Sequence, residues 1–207
     1  MKPTGRYLSM QNRSKETRGK IIQAAQDLFS RTGYESASVS EICELAGISK
    51  GAFYHHFPSK QSVFMELLND WLKGIDMGLE TLRSNQPEAS EALVQMVGIL
   101  PAVIHTAEGR LPIFLEFWSH SARDKELWET AIAPYKRYRE YFKKIVNEMD
   151  PKGVLEPVKK EAAAFAVMSM AIGLLLQGVM DSKAADWDAV GREGMRMLLD
   201  GMTRRSS

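Results

Sequence analysis

Apolar residues recur along this chain three and four positions apart, and no stretch alternates apolar and polar residues as a half-buried strand does. Ile21, Ala24, Ala25, Leu28 and Phe29 form one stripe and predict a helix over about Lys15 to Arg31, with Gly33 as its stop. Val63, Leu67, Leu68, Trp71 and Leu72 mark a second long helix. Leu93, Met96, Val97, Leu100 and Ile104 mark a third, which Pro101 is expected to bend. Pro112 suits the first turn of a short helix carrying Ile113, Phe114, Phe117 and Trp118. Leu127 to Met149 is long and amphipathic, with Pro134 interrupting its first half. A strongly apolar helix spans Glu161 to Met180, and a last one spans Trp187 to Met202. Linkers are expected at Asn85–Pro87, Glu108–Arg110, Asp150–Gly153 and Asp181–Asp186. The pattern predicts an all-α chain of roughly nine helices.

The segment from Ser36 to Lys60, SASVSEICELAGISKGAFYHHFPSK, carries the most specific signal. Ser38 and Glu41 have the spacing of a capping box. A short helix follows, with Ile42 and Leu45 read as inward. Gly47 supplies a left-handed stop, and Ser49 caps a new helix two residues later. Ile48 and Phe53 have the spacing of a hydrophobic staple, which fixes the angle between the helices as a helix-turn-helix requires. Cys43 is read as a small packing spacer. In the second helix, Ser49 to His56, Phe53 and Phe57 share the inward face. That leaves Lys50, Gly51, Ala52, Tyr54 and His55 for the outer side and for an N-terminus whose free amides suit a phosphate. Lys60 adds charge at the start of the next helix. The DNA-contact set is thus Ser38, Ser49, Lys50, Gly51, Ala52, Tyr54, His55 and Lys60. Lys50, Tyr54 and Lys60 are assigned to backbone positioning, and Gly51, Ala52 and His55 to base edges.

Together these residues resemble the DNA-binding domain of the TetR/AcrR family of bacterial transcriptional regulators. The similarity runs from about Arg18 to Leu68 and rests on Gly33-Tyr34, Ala46 to Gly51, Tyr54-His55 and Phe57 to Lys60. Ala52 stands where the family often has Thr, and Cys43 where Ala is common. The resemblance implies an N-terminal three-helix DNA-binding domain, residues 1–65, and a larger helical ligand-binding and dimerisation domain, residues 66–207. It also implies dimerisation through the last two long helices, a small-molecule pocket, and ligand binding that changes the spacing of two recognition helices. The expected partners are double-stranded DNA, a small lipophilic effector and a second copy of the chain. The expected role is a ligand-released repressor on a palindromic operator.

Charge agrees with this division. The chain has 207 residues and a formal net charge of +1. Residues 1–65 hold nine Lys or Arg and five Asp or Glu, a net of +4, which leaves −3 for the remainder. One cysteine excludes an internal disulfide. The polar N-terminus has no signal-peptide block, and Ser169, Gly173, Gln177 and Gly178 interrupt the most apolar stretch. A cytoplasmic protein without membrane association is expected. His55, His56, His105 and His120 form no metal-ligand spacing, and no P-loop occurs. Neither a catalytic site nor a metal or cofactor is therefore expected, and the chain is read as not an enzyme. An all-α lipophilic-ligand carrier or enzyme with a purely structural helix-turn-helix is the alternative. The effector pocket is expected after about residue 75, lined by Met96, Leu100, His105, Phe114, Phe117, Trp118, Tyr138 and Met168. His105 and Glu116 are its candidate polar anchors.

Overall fold

In a computed structural model, residues 4–107, 110–150 and 157–203 are described. Among these residues every regular element is helical: α1 (Thr4–Thr32), α2 (Val39–Ala46), α3 (Lys50–His56), α4 (Lys60–Ser84), α5 (Ala89–Met96), α6 (Leu100–Ala107), α7 (Leu111–Ser121), α8 (Lys125–Met149), α9 (Pro157–Met180) and α10 (Trp187–Thr203). A single 3-10 turn, Val97–Ile99, joins α5 to α6. Those two therefore run on as one rod, which leaves nine helical bodies among the described residues. The tightened turn falls just before Pro101, whose missing N–H and ring leave the preceding turn without an ordinary α-helical ladder. Pro134 does not interrupt α8, which stays helical from end to end. α1 starts well before the expected Lys15. Of the expected linkers, residues 108–109 and 151–153 lie outside the described residues.

The chain divides into two compact units. Met1–Leu72 and Pro112–Lys125 form the first; Lys73–Leu111 and Glu126–Ser207 form the second. In the first, α1 packs on α2 and α3. Its core holds Ile21, Ala25, Phe29, Ile42, Phe53, Val63 and Phe64, all essentially without exposure. α7 belongs to this unit. Phe117 is fully buried, stacked on Phe64 at 3.9 Å between ring centroids and edge-on to Tyr34 at 5.1 Å. Phe114 stacks on Trp71 at 4.8 Å.

In the second unit α10 packs on α9 and on the α5–α6 rod. Leu93, Val94, Met96, Val97, Leu100, Ile104, Phe142, Ile145, Val167, Met168, Met195 and Leu199 form its core. Leu174 and Leu175 of α9 lean on that core, whereas Phe165 and Ile172 stay exposed. Contrary to the expectation from its interruptions, Lys159–Met180 is long and apolar enough to cross a membrane by length and composition, as is Ala89–Ala107. Only 28% of the most apolar window of Lys159–Met180 is buried, so among the described residues α9 keeps an exposed apolar face that includes Phe165, Ile172 and Met180.

Candidate nucleic-acid interface

The helix-turn-helix is held by its own capping chemistry. The Glu41 amide donates to Ser38 Oγ at 3.2 Å, and the Ser38 amide donates to Glu41 Oε2 at 2.9 Å, which closes the capping box. The Ser38 hydroxyl also donates to Glu41 Oε2 at 2.6 Å. These bonds hold the Glu41 carboxyl below its ordinary pKa. α2 ends at Gly47, whose φ of +65° only glycine adopts without strain. There the Ile48 amide donates to Cys43 O at 3.0 Å and the Gly47 amide to Glu44 O at 3.2 Å, the two bonds of a Schellman stop. The Ala52 amide then donates to Ser49 Oγ at 3.1 Å and starts α3. Both serine hydroxyls are thus committed to caps. Cys43 is buried, and burial pushes its thiol pKa up, as suits a packing residue rather than a nucleophile.

α3 buries Phe53, which with Phe57 just past its end is almost fully covered. Lys50, Gly51, Tyr54 and His55 are exposed and share the opposite face, while Ala52 is half-buried. Tyr54 is 54% exposed. His56 is half-buried, and burial, then His55 and Arg18, lowers its pKa. Arg18 pairs with Glu66 at 2.9 Å and lies over the Phe57 ring, tying α1 to α4 beneath the reading helix. Leu45 is 48% exposed rather than inward. The inward positions of α2 are Val39, Ile42, Cys43 and Ala46, spaced three, four and seven apart, and Leu45 falls off that stripe.

Lys60 does not stand free for a phosphate. Its ammonium donates to the carbonyls of Tyr34 at 2.7 Å, Ala37 at 2.8 Å and Glu35 at 3.2 Å, and lies over the Tyr34 ring. All three of its N–H donors are spent on the turn between α1 and α2. No local pattern announced this, because the partners lie 23 to 26 positions away.

The residues expected to line an effector pocket divide between the units. Phe114, Glu116, Phe117 and Trp118 belong to the first. There Phe114 and Phe117 are core. The Glu116 carboxylate, expected to read a ligand, accepts from the Tyr34 amide at 2.9 Å and the Glu35 amide at 2.8 Å. Trp118 is 38% exposed. Met96, Leu100, Met168 and Tyr138 are brought together in and against the core of the second unit. Tyr138 donates its hydroxyl to Asp76 Oδ1 at 2.6 Å. His105 is exposed on α6. Tyr141, which the sequence did not single out, packs on this core with a buried hydroxyl that has no partner among the described residues.

A capped helix-turn-helix presenting a short, polar, glycine-containing helix over an aromatic core defines a DNA-reading protein of the regulator class. Two matches place it further. Residues 21–67 match the family of bacterial regulatory proteins called tetR, and residues 89–203 match the C-terminal domain of BetI-type transcriptional repressors. The second match alone spans more than half of the chain. The chain belongs to the TetR family and is a DNA-binding transcriptional regulator. It is 24% identical over 202 residues to the HTH-type transcriptional regulator UidR of Escherichia coli K12, covering 96% of this chain and 98% of that one. A TetR-family regulator from Agrobacterium tumefaciens has the same fold, with a TM-score of 0.68 at 22% identity over 89% of this chain and 98% of its own. The regulator FadR of Bacillus subtilis, solved in complex with stearoyl-CoA, also shares it, with a TM-score of 0.66 at 20% identity over 88% and 97% of the two chains.

Proposed function

We propose that this regulator is a cytoplasmic homodimer that represses transcription from a palindromic operator and is released by a lipophilic effector. The observation that carries the DNA reading is the exposed face of α3, Lys50, Gly51, Tyr54 and His55, on a frame held by the Ser38 and Ser49 caps. Gly51 admits a close approach of backbone to DNA, Tyr54 and Lys50 reach phosphates, and His55 faces base edges. Lys60 leaves the contact set and Ser38 and Ser49 act as caps. The test is selection of bound duplexes from a random pool. A palindromic site is expected, with base preference altered by His55→Ala and the salt slope lowered by about one unit in Lys50→Ala. Non-palindromic, salt-insensitive binding would overturn the reading.

The exposed apolar stripe Phe165, Ile172 and Met180 on α9, with Val190 and Met197 on α10, supports a second copy as the occupant of that face. A partner bundle of this kind buries on the order of 2,000 Å² or more.

The effector site belongs to the second unit, between Met96, Leu100, Tyr138 and Met168, with Phe114, Glu116 and Phe117 removed from it. The unpartnered Tyr141 hydroxyl supports a polar anchor there, since buried hydroxyls ordinarily have a partner. FadR's acyl-CoA supports a lipophilic ligand. A thermal-shift series of saturated fatty acids and their CoA thioesters tests this. A shift seen in the wild type and lost in Tyr141→Phe supports the anchor; equal shifts in both place the site elsewhere.

A further inference from the structure

Five residues, Gly33 to Ala37, link α1 to α2 and deliver the Ser38 cap at which the helix-turn-helix begins. Side chains from two other helices hold this corner. From α7, Glu116 accepts from the Tyr34 and Glu35 amides at 2.9 and 2.8 Å. From the start of α4, Lys60 donates to the carbonyls of Tyr34, Glu35 and Ala37. An anion thus meets the corner's donors and a cation its acceptors. Gly33, at φ +82°, leaves room for the carboxylate, because a Cβ there would lie 2.7 Å from Glu116 Oε2. His120 of α7 pairs with the Glu35 carboxylate at 3.0 Å. Phe117 and the Tyr34 ring close the apolar side of the same corner.

We propose that Glu116 is a positioning residue for DNA binding: it holds the Gly33–Ala37 corner, and through it α2 and α3, in the DNA-competent setting. Charged acceptors make the stronger hydrogen bonds, and these two fix the direction of consecutive amides. The segment Pro112–Lys125, which carries most of α7, is joined to the second unit at Leu111–Pro112 and at Lys125–Glu126. This role of Glu116 rests on α3 as the reading helix, and it adds the element that sets that helix.

The experiment pairs Glu116→Gln with amide hydrogen exchange and DNA affinity. Affinity is measured on the duplex selected by the wild type, well below the melting temperature and corrected for folded fraction. Glutamine keeps the shape but has one strong acceptor. Faster exchange at Tyr34 and Glu35 is expected, together with at least a tenfold rise in Kd at an unchanged salt slope, because no phosphate contact is lost. A residue that only stabilised the fold would lower the melting temperature and leave Kd of the folded protein alone. Exposed corner amides with Kd within twofold of wild type would overturn the proposal, as would unchanged exchange. Should Glu116→Gln not fold, wild-type exchange decides: DNA must slow the Tyr34 and Glu35 amides, and indifference to DNA refutes the role. If His55→Ala and Lys50→Ala leave binding intact, α3 is misassigned. If they weaken it and Glu116→Gln does not, only this inference falls.

Discussion

At the scale of single residues, the interface is governed by side chains that satisfy backbone groups. Lys60 is the clearest case, since its ammonium satisfies the carbonyls of a turn. Lys60→Met should therefore leave the salt slope of DNA binding unchanged and lower stability by about 2 kcal/mol, the scale of hydrogen bonds to a charged group. Urea denaturation measures the second effect; a salt slope one unit lower would restore a phosphate role. Glu41 gives a pH-dependent counterpart. Its folded pKa lies below the ordinary 4.5, because Ser38 donates to the carboxylate. The capping contribution is thus fully present above pH 4.5 and is lost as pH falls through the lower, folded value. Wild type should melt above Glu41→Gln at neutral pH, and the two melting temperatures should converge in acid. A difference independent of pH would mean that the carboxylate charge does not matter to the box.

At the scale of elements, the helices of the second unit pack closely where glycine lets them. A Cβ on Gly191 of α10 would collide with Val97 Cγ1 and press on Leu100 Cδ1. Both lie in the buried rod, so they have little room to give. Gly191→Ala should lose about 1 kcal/mol net, as overpacking of roughly 2 exceeds the roughly 1 gained in helix propensity. Gly74 in α4 has nothing within 4 Å of the same position, so Gly74→Ala should gain nearly 1 kcal/mol. Opposite signs in paired thermal melts are the expected result; two gains would mean that α10 and the rod are loosely packed. The same element-level logic explains why Pro134 leaves α8 intact. One missing donor is tolerable in a helix anchored by Leu127, Ala131, Phe142, Ile145 and Val146.

At the scale of the molecule, the outstanding feature is the apolar face of α9 and α10. Ile172 is 41% and Met197 66% exposed, whereas Leu175 leans on the core of its own unit. Charge at the first two should separate copies without unfolding the chain. Ile172→Glu and Met197→Glu are expected to sediment as folded monomers that bind a half-site weakly. Leu175→Glu is expected to give insoluble protein. Stable dimers in both surface variants, read by analytical ultracentrifugation, would move the interface elsewhere.

Local chemistry determined much of this protein. Apolar spacing gave the helices, and Ser38, Glu41, Gly47 and Ser49 gave the reading motif, because caps and stops act within a few residues of one another. The family resemblance was legible for the same reason. Tertiary structure alone decided the use of Lys60 and Glu116, since an ammonium or carboxylate reads identically whether its partner is DNA, a ligand or a backbone amide 82 positions away. It also decided that α7, which lies in the sequence among helices of the second unit, packs in the core of the first. Phe114 and Phe117 have the composition of a ligand wall, and only their stacking on Trp71 and Phe64 makes them core. Periodicity records which face of a helix is apolar; which neighbour covers that face is set by long-range packing.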